Sequence, residues 1–442
     1  MMTIRPNGDP ITKCTPSCAT TERVDVSGES IRLAVRNIAT HGDTDVFPFP
    51  LENYWFHDEE QDIVDLLTQI DNDFDSWMKS YEVLYAKTLA SVGYFGFRAA
   101  TQIDPLWNAY LLALVVEISP DLEAARIPSI DEIVYSYRFS PSADKATLFD
   151  REIGWGLFHQ TAVNRAAAFP FVVSTDISDF YGRVSHHRLE NALEDAVRLR
   201  SGNLVVVHRI KAILSRLSDN ASYGLPVGGN AARILAETLL NRTDRLLRTQ
   251  KITFMRFVDD YVLFANSMEE AHQALVRLSE ALLREGLTLS RQKTRVTSQS
   301  EFVKSSPFAP PTTAESRTEA TTREFLGIRL HFDRYSPTAI DDYEALKREL
   351  ERFDLPGMLA QELRKSRIDE MVTRQLVKAI RLLGGDIRDA AVISLVDNLH
   401  VLYPIFPTVA IVLRALLPDL VPGSAQRSST LSDSRSRRAR TL

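Results

Sequence analysis

Cysteine is almost missing from this 442-residue chain, which has only two. Cys14 and Cys18 lie close together in a polar N-terminal stretch, with no histidine or further cysteine nearby to complete a tetrahedral metal site. That excludes a disulfide framework, and the pair reads as free thiols of an intracellular protein. Long apolar runs are missing as well. The greasiest stretch, Leu106 to Ile118, is too short to cross a bilayer, and the first residues lack the apolar segment of a secretion signal. The expected location is the cytoplasm, with no membrane partner. Nor is there a surplus of positive charge: 52 Lys and Arg stand against 58 Asp and Glu, a formal charge of -6. Non-specific coating of nucleic acid is excluded, because such binding scales with the phosphates that Lys and Arg neutralise; a locally basic channel is not.

What is present is enough apolar material, 44% of residues, for a large core and two or three soluble domains. The most informative stretch runs from Phe254 to Phe264. Asp259 and Asp260 sit there between two short aromatic and β-branched runs, the pattern of a hairpin whose turn is acidic. Such a pair is costly beside apolar strands unless a cation lies between the acids, and a divalent metal suits two carboxylates.

The remaining segments fall around this hairpin. Residues 1–29 are polar and expected to be flexible. Helical spacing marks Ile31 to Ile38, Gln61 to Tyr85 and Leu106 to Glu117. His41, Asp43 and Asp45 precede a proline-broken turn and are expected to anchor it rather than to bind a ligand. Ile133 to Phe139 alternates as a strand, followed by a helix from about Asp150 to Phe169. Phe171 to Ile177 is an apolar strand ending in Asp176; Ser178 to Tyr181 forms a corner, and Ser185 caps the next helix. A helix from Leu204 to Leu217 leads to the Gly-rich turn Tyr223 to Asn230 and a long helix through Leu247. After the acidic hairpin come a helix from Met268 to Glu285, a strand Leu287 to Leu289 with Lys293 and Thr294 that carries a cation, a polar linker over 304–322, and a strand Phe325 to Leu330. Beyond Pro337 every periodic segment is helical. The last stretch, with Arg435, Arg437, Arg438 and Arg440, reads as a disordered basic tail.

In this order the motifs resemble a reverse transcriptase. Thr175 to Tyr181 is similar to the family's first palm motif, Gly224 to Asn230 to the second, and Phe257 to Asp260 to the third. Gly286 to Leu289 with Lys293 and Thr294 is similar to the fourth, and Phe325, Leu326 and Gly327 to the fifth, the primer grip. The resemblance spans about residues 130 to 335. It implies an α+β fold, a right-hand polymerase with fingers over 30–170 and an antiparallel palm over 171–335. An all-helical C-terminal domain over 336–420 and the tail over 421–442 would follow.

The resemblance also implies a chemistry. Asp176, Asp259 and Asp260, with the carbonyl of Ile177, would bind two Mg2+ ions, for which Mn2+ can substitute. Asp179, Phe180, Tyr181, Arg138, Lys145, Val227, Gly228 and Lys293 would contact the nucleotide. Tyr181, five residues after Asp176, would lie under the sugar and exclude a 2′-hydroxyl. The partners implied are dNTPs, an RNA template or a structured non-coding RNA, a DNA product, and a partner protein or second copy of the chain. Many reverse transcriptases carry Gln in the second motif where this chain has Val227, which can neither donate nor accept a hydrogen bond. That departure, Tyr135 to Arg138, the segment from Asn37 to Pro50 and the helical C-terminus resemble bacterial enzymes of the abortive-infection and unknown groups. Members of that class serve phage defence, some with untemplated or protein-primed synthesis. The alternatives are a palm that makes RNA and a catalytically silent nucleic-acid-binding defence module.

Overall fold

The computed structural model describes residues 26–44, 52–92, 96–200, 202–218, 221–306, 317–328, 330, 339–365 and 368–416; Cys14, Cys18, Asp45 and the arginine-rich tail lie outside them. Four helices, α1 (Gly28–His41), α2 (Glu52–Asp58), α3 (Glu60–Asn72) and α4 (Phe74–Ser80), lead to a hairpin of β1 (Tyr85–Val92) and β2 (Gly96–Ile103). Next comes α5 (Pro105–Ala125), which starts where the Asp104 side chain accepts hydrogen bonds from the Leu106 and Trp107 amides and Pro105 occupies the first turn. Residues 107 to 116 are all buried, so this part of the helix has no solvent face, and α1, α3 and three later helices pack around α5.

A second hairpin, β3 (Phe139–Ser142) and β4 (Thr147–Phe149), and α6 (Trp155–Ala166) precede the central strand β5 (Phe171–Asp176). The chain continues through α7 (Phe180–Arg183), α8 (His186–Arg198), α9 (Leu204–Leu217) and α10 (Asn230–Thr249) to the acidic hairpin, β6 (Thr253–Phe257) and β7 (Asp260–Ala265). After α11 (Met268–Arg284), β8 (Arg295–Ser298) completes an antiparallel sheet of order β6-β7-β5-β8. Alternate residues supply its two faces. Val172, Met255, Val262 and Phe264 join Phe158 and Ala162 of α6 in one cluster. Val173, Phe254, Tyr261 and Leu263 face the main core with α10 and α11. Both faces are therefore covered, which is why these strands read as nearly unbroken apolar runs.

The remaining described elements are helical: α12 (Gln299–Ser305), α13 (Arg317–Leu326), α14 (Ala339–Leu350), α15 (Leu355–Leu363), α16 (Glu370–Ala379), α17 (Gly385–Asp397) and α18 (Phe406–Leu416). They enclose two further apolar clusters, one around Phe325, Leu350 and Leu376, the other around Val392, Leu402 and Val409. Among the described residues no helix is long and apolar enough to cross a membrane.

Three expected strands are not formed. Ile133 to Phe139 makes a single bridge, Val134 to Arg256, and then departs from extended geometry at Tyr137, whose φ is 45°. The reason is Arg126, whose guanidinium donates to the carbonyls of Ser136 (2.8 Å) and Tyr137 (2.9 Å) that a neighbouring strand would otherwise have used. Leu287 to Leu289 likewise contributes only the bridge Ile177 to Leu289, and the strand begins at Arg295. Phe325 and Leu326 end a helix. Phe325 is fully buried against Phe353, ring centroids 5.6 Å apart, because its apolar surface is satisfied by the helices that follow.

Beneath the acidic hairpin lies a buried ionic group. Arg256, fully buried on β6, donates to both carboxylate oxygens of Glu237 (2.9 and 3.1 Å) and of Asp244 (2.6 to 3.1 Å), two residues of α10. Arg126 adds a contact of 2.8 Å to Glu237, and both Arg126 and Arg138 lie 2.9 Å from Glu123. Three guanidinium groups are matched by three carboxylates. The burial that costs each ion several kcal/mol is offset only while every partner is present. Arg256→Met should therefore lower unfolding stability by about 3–5 kcal/mol, measured by chemical denaturation of the full chain. Adding Glu237→Gln and Asp244→Asn to it should restore part of the loss; a single-variant loss below about 1 kcal/mol would contradict the assignment.

Candidate active site

The antiparallel register of β5 and β7 sets Asp176 directly opposite Asp260. The two strands thereby deliver their terminal carboxylates to one place. The β6–β7 connection has only two residues, Val258 and Asp259, between the paired Phe257 and Asp260. Val258 has φ of 55°, a left-handed conformation that is rare for a β-branched side chain and is the kind of turn position where glycine is usual. It is held from two sides: its amide donates to Ser136 Oγ (2.9 Å), and its carbonyl accepts from Arg256 Nη1 (2.8 Å). The Asp259 carbonyl is in turn tied to the Ile177 amide at 3.1 Å. The exit of β5 is pinned too, since the Ser290 amide donates to the Asp176 carbonyl and the Ser178 amide to Thr288.

These acids border a cleft of about 830 Å³. Its lining includes Ile177, Asp179, Phe180 and Tyr181 from the first motif, and Pro226, Val227 and Gly228 from the second. The two motifs are laced together. Leu225 donates its amide to the Tyr181 carbonyl, Gly224 to that of Val184, and the His186 ring to the carbonyl of Gly224 at 2.7 Å. Burial pushes the His186 imidazole below its ordinary range, so it stays neutral and can donate through Nε2. Gly228 has φ of 122°, a value that a side chain would oppose, so the turn into α10 needs glycine there. Burial, reinforced by Tyr137, holds the Tyr181 phenol un-ionised, and its ring packs against the core beside the cleft.

Lys293 is the cation closest to the acids, with Nζ 2.6 Å from Asp176 Oδ2. Desolvation works against its charge, but the hydrogen bond to Asp176 and the field of all three carboxylates raise its pKa. Asp260 shows the opposite imbalance. Desolvation, then Asp259 and Asp176, push its carboxyl up to about 7, against the partial relief from Lys293. The cluster is therefore short of positive charge, and its donors are hard carboxylate oxygens. Both properties suit a divalent cation such as Mg2+ at Asp176, Asp259 and Asp260, which would have to draw the three carboxylates together, since their oxygens do not all lie within 4.8 Å of one another.

Two expected nucleotide contacts belong elsewhere. Arg138 is buried under the hairpin, its Nε beside Glu123 and its Nη2 donating to the Ile127 carbonyl, so it cannot reach a triphosphate. Lys145 lies on the β3–β4 turn, where its carbonyl receives the His41 ring (3.0 Å), away from the cleft lining. Phe325, Leu326 and Gly327 are also outside that lining and form no primer-grip strand. His41 holds that turn, and Asp43 accepts from Gln102; the proline-broken turn that they were expected to anchor lies outside the described residues.

The cleft also has residues that sequence reasoning passed over. Lys87 of β1 and Thr101 of β2 overhang it, Arg233 stacks over Tyr137 at 5.3 Å, and Trp155 and Tyr223 stand exposed at its rim. A signal for the hairpin existed in the alternation Tyr85, Lys87, Leu89 and the glycines 93 and 96 that follow, but only the fold shows that Lys87 lines the same cleft as the acids.

The raised Asp260 gives a pH signature. Its folded pKa lies above the ordinary 3.8, so ionising it opposes folding: the penalty is complete above pH 7 and fades as pH falls toward 4. In metal-free buffer Asp260→Asn should raise Tm most above pH 7, with the gap closing by about pH 4. Millimolar Mg2+ should shrink the gap at pH 8; a Tm advantage that does not vary with pH would contradict the electrostatic account.

No curated protein matches the chain. Residues 122–330, and with them every cleft residue except those that β1 and β2 contribute, match the family model for reverse transcriptase (RNA-dependent DNA polymerase), a domain of palm-and-fingers fold.

Proposed function

We propose that the protein is an RNA-directed DNA polymerase that adds dNTPs to a primer at the Asp176–Asp259–Asp260 cluster. The observation that carries this reading is the convergence, in one cleft within the matched domain, of three carboxylates with an electrostatic demand for a cation. Bound Mg2+, or Mn2+ in its place, supplies Lewis-acid activation of the primer 3′-hydroxyl and neutralises charge on the departing pyrophosphate. Asp176 and Asp259 hold the ions, with Asp260 and the Ile177 carbonyl beside them. Nearly everything else the chain does is positioning. Lys293, beside Asp176, would offer its ammonium to a triphosphate oxygen, and Lys87 from the hairpin that lines the cleft would replace Arg138 and Lys145 as the second cation. Asp179, Phe180 and Gly228 shape the nucleotide floor with Val227, and Tyr181 presents its ring where a ribose 2′-hydroxyl would stand. Trp155, Tyr137 and Tyr223 with Arg233 give the cleft the mixed aromatic and basic wall that suits a nucleic-acid strand.

Val227 offers no hydrogen bond where many relatives have an amide, which favours synthesis with relaxed dependence on a template. That departure and the helical segments after residue 339 support placement among bacterial defence reverse transcriptases, acting in the cytoplasm with a structured RNA, a partner protein or a second copy of the chain.

Purified protein with Mg2+ and labelled dNTPs should make DNA, on an added primed RNA or without one. Asp176→Asn should lower the rate by roughly a hundredfold or more. Equal incorporation by wild type and by Asp259→Ala/Asp260→Ala would refute the site, and in cells the same pair should lose protection against phage. Tyr181→Ala should improve rNTP use relative to dNTPs by about tenfold, about 1.4 kcal/mol; an unchanged ratio would remove Tyr181 from sugar selection.

A further inference from the structure

We infer that Ser136 is a positioning residue for the metal site, although it lies outside the cleft and touches none of the carboxylates in it. Its hydroxyl is buried and used twice. It donates to Glu237 Oε1 at 2.6 Å and accepts the Val258 amide at 2.9 Å. A hydroxyl has one hydrogen to give, so the bond to Glu237 fixes that proton and leaves a lone pair aimed at the turn. Glu237 is itself immobilised by Arg126 and Arg256. Ser136 therefore connects the buried ionic group to the left-handed residue of the acidic turn.

The strain makes the connection matter. A left-handed β-branched residue is strained and persists only where its surroundings overdetermine it. The Val258 amide has Ser136 as its partner and the Val258 carbonyl has Arg256, so the turn is held at both ends. Asp259 is the next residue. If Val258 relaxes toward negative φ, the peptide leading into Asp259 turns, and its carboxylate is carried away from those of Asp176 and Asp260. Ser136 itself stays in place because Arg126 holds its carbonyl, and its segment is bonded to Arg256 through Ile133 and Tyr135. Loss of its hydroxyl should thus disturb the metal site with little change in the cleft walls that bind nucleotide.

This inference rests on the reading of the three acids as a divalent-metal site, and its test uses metal binding as well as synthesis. Mn2+ binding to the full-length protein is measured by electron paramagnetic resonance for wild type, Ser136→Ala and Ser136→Thr, with Tm for each. Primer extension is then measured for the same proteins. Ser136→Ala should weaken Mn2+ binding by about 10-fold and lower kcat by roughly 10–100-fold with KM for dNTP changed less than about twofold. Ser136→Thr, which keeps the hydroxyl, should restore both to within about threefold. Ser136→Ala with wild-type Mn2+ affinity would overturn the inference, as would losses in Ser136→Thr equal to those in Ser136→Ala. Wild type that binds no Mn2+ would overturn it together with the metal site. Wild type that binds Mn2+ but extends no primer would overturn the polymerase reading alone, and the Mn2+ comparison would still decide the role of Ser136.

Discussion

The arrangement depends on one buried guanidinium. Arg256 joins two acids of α10 to the strand that leads into the acidic turn, and it also holds the carbonyl of Val258. A buried ionic group adds little net stability compared with an apolar core of the same shape, because desolvation consumes most of the attraction. What it adds here is uniqueness. Apolar side chains could slide along one another by a fraction of an ångström, whereas a planar fork bonded to two carboxylates at once fixes α10, β6 and the turn in one relative position. The same fork lies 5.9 Å from the Tyr261 ring, and Asp244 takes the Tyr261 hydroxyl, so the first residues of β7 are fixed as well.

The turn divides two electrostatic regimes only a few residues apart. Below it, guanidinium and carboxylate groups are matched, and Arg256 is held firmly charged: burial opposes its charge, and Asp244 and Glu237 more than compensate. Above it, three carboxylates face a cleft with Lys293 as the near cation, and Asp260 is pushed up to about 7. Rigidity comes from the balanced layer, so the unbalanced layer need not relax to relieve its own charge. Acids on a soft support would separate; on this one they stay near one another, and their repulsion appears as the raised pKa of Asp260.

The sequence made the chemistry legible more readily than the scaffold. Asp176, Asp259, Asp260 and Lys293 could be brought together from their order and flanking residues, because strand exits and a two-residue turn leave few placements. The caps of α8 and α11, Ser185 and Ser267, and the limits of α9 also follow local rules. The failures have one cause, which is partners remote in sequence. Arg138 looks like a surface cation until α5 brings Glu123 beside it. Ile133 to Phe139 alternates as a strand should, but Arg126 takes its carbonyls. Phe325 to Leu330 has strand composition, yet α14 and α16 offer it a buried surface that it occupies as the end of a helix. No local pattern reports such neighbours.

One consequence concerns the parts of the chain outside the matched domain. The hairpin β1–β2 contributes Lys87, Ala99 and Thr101 to the cleft lining, and it is also where the C-terminal segment returns: the turn Tyr403 to Ile405 packs on β1. Close by, the Arg414 guanidinium stacks on the Tyr54 ring at 5.0 Å and bonds its hydroxyl. A two-stranded hairpin has little stability of its own, so its position over the cleft is set by what it packs against. The helices after residue 339 line none of the acidic cleft, but they bear on the element that roofs it. The C-terminal segment thus touches the hairpin that supplies Lys87 to the cleft, and that contact is separate from the buried ionic group that fixes the acids.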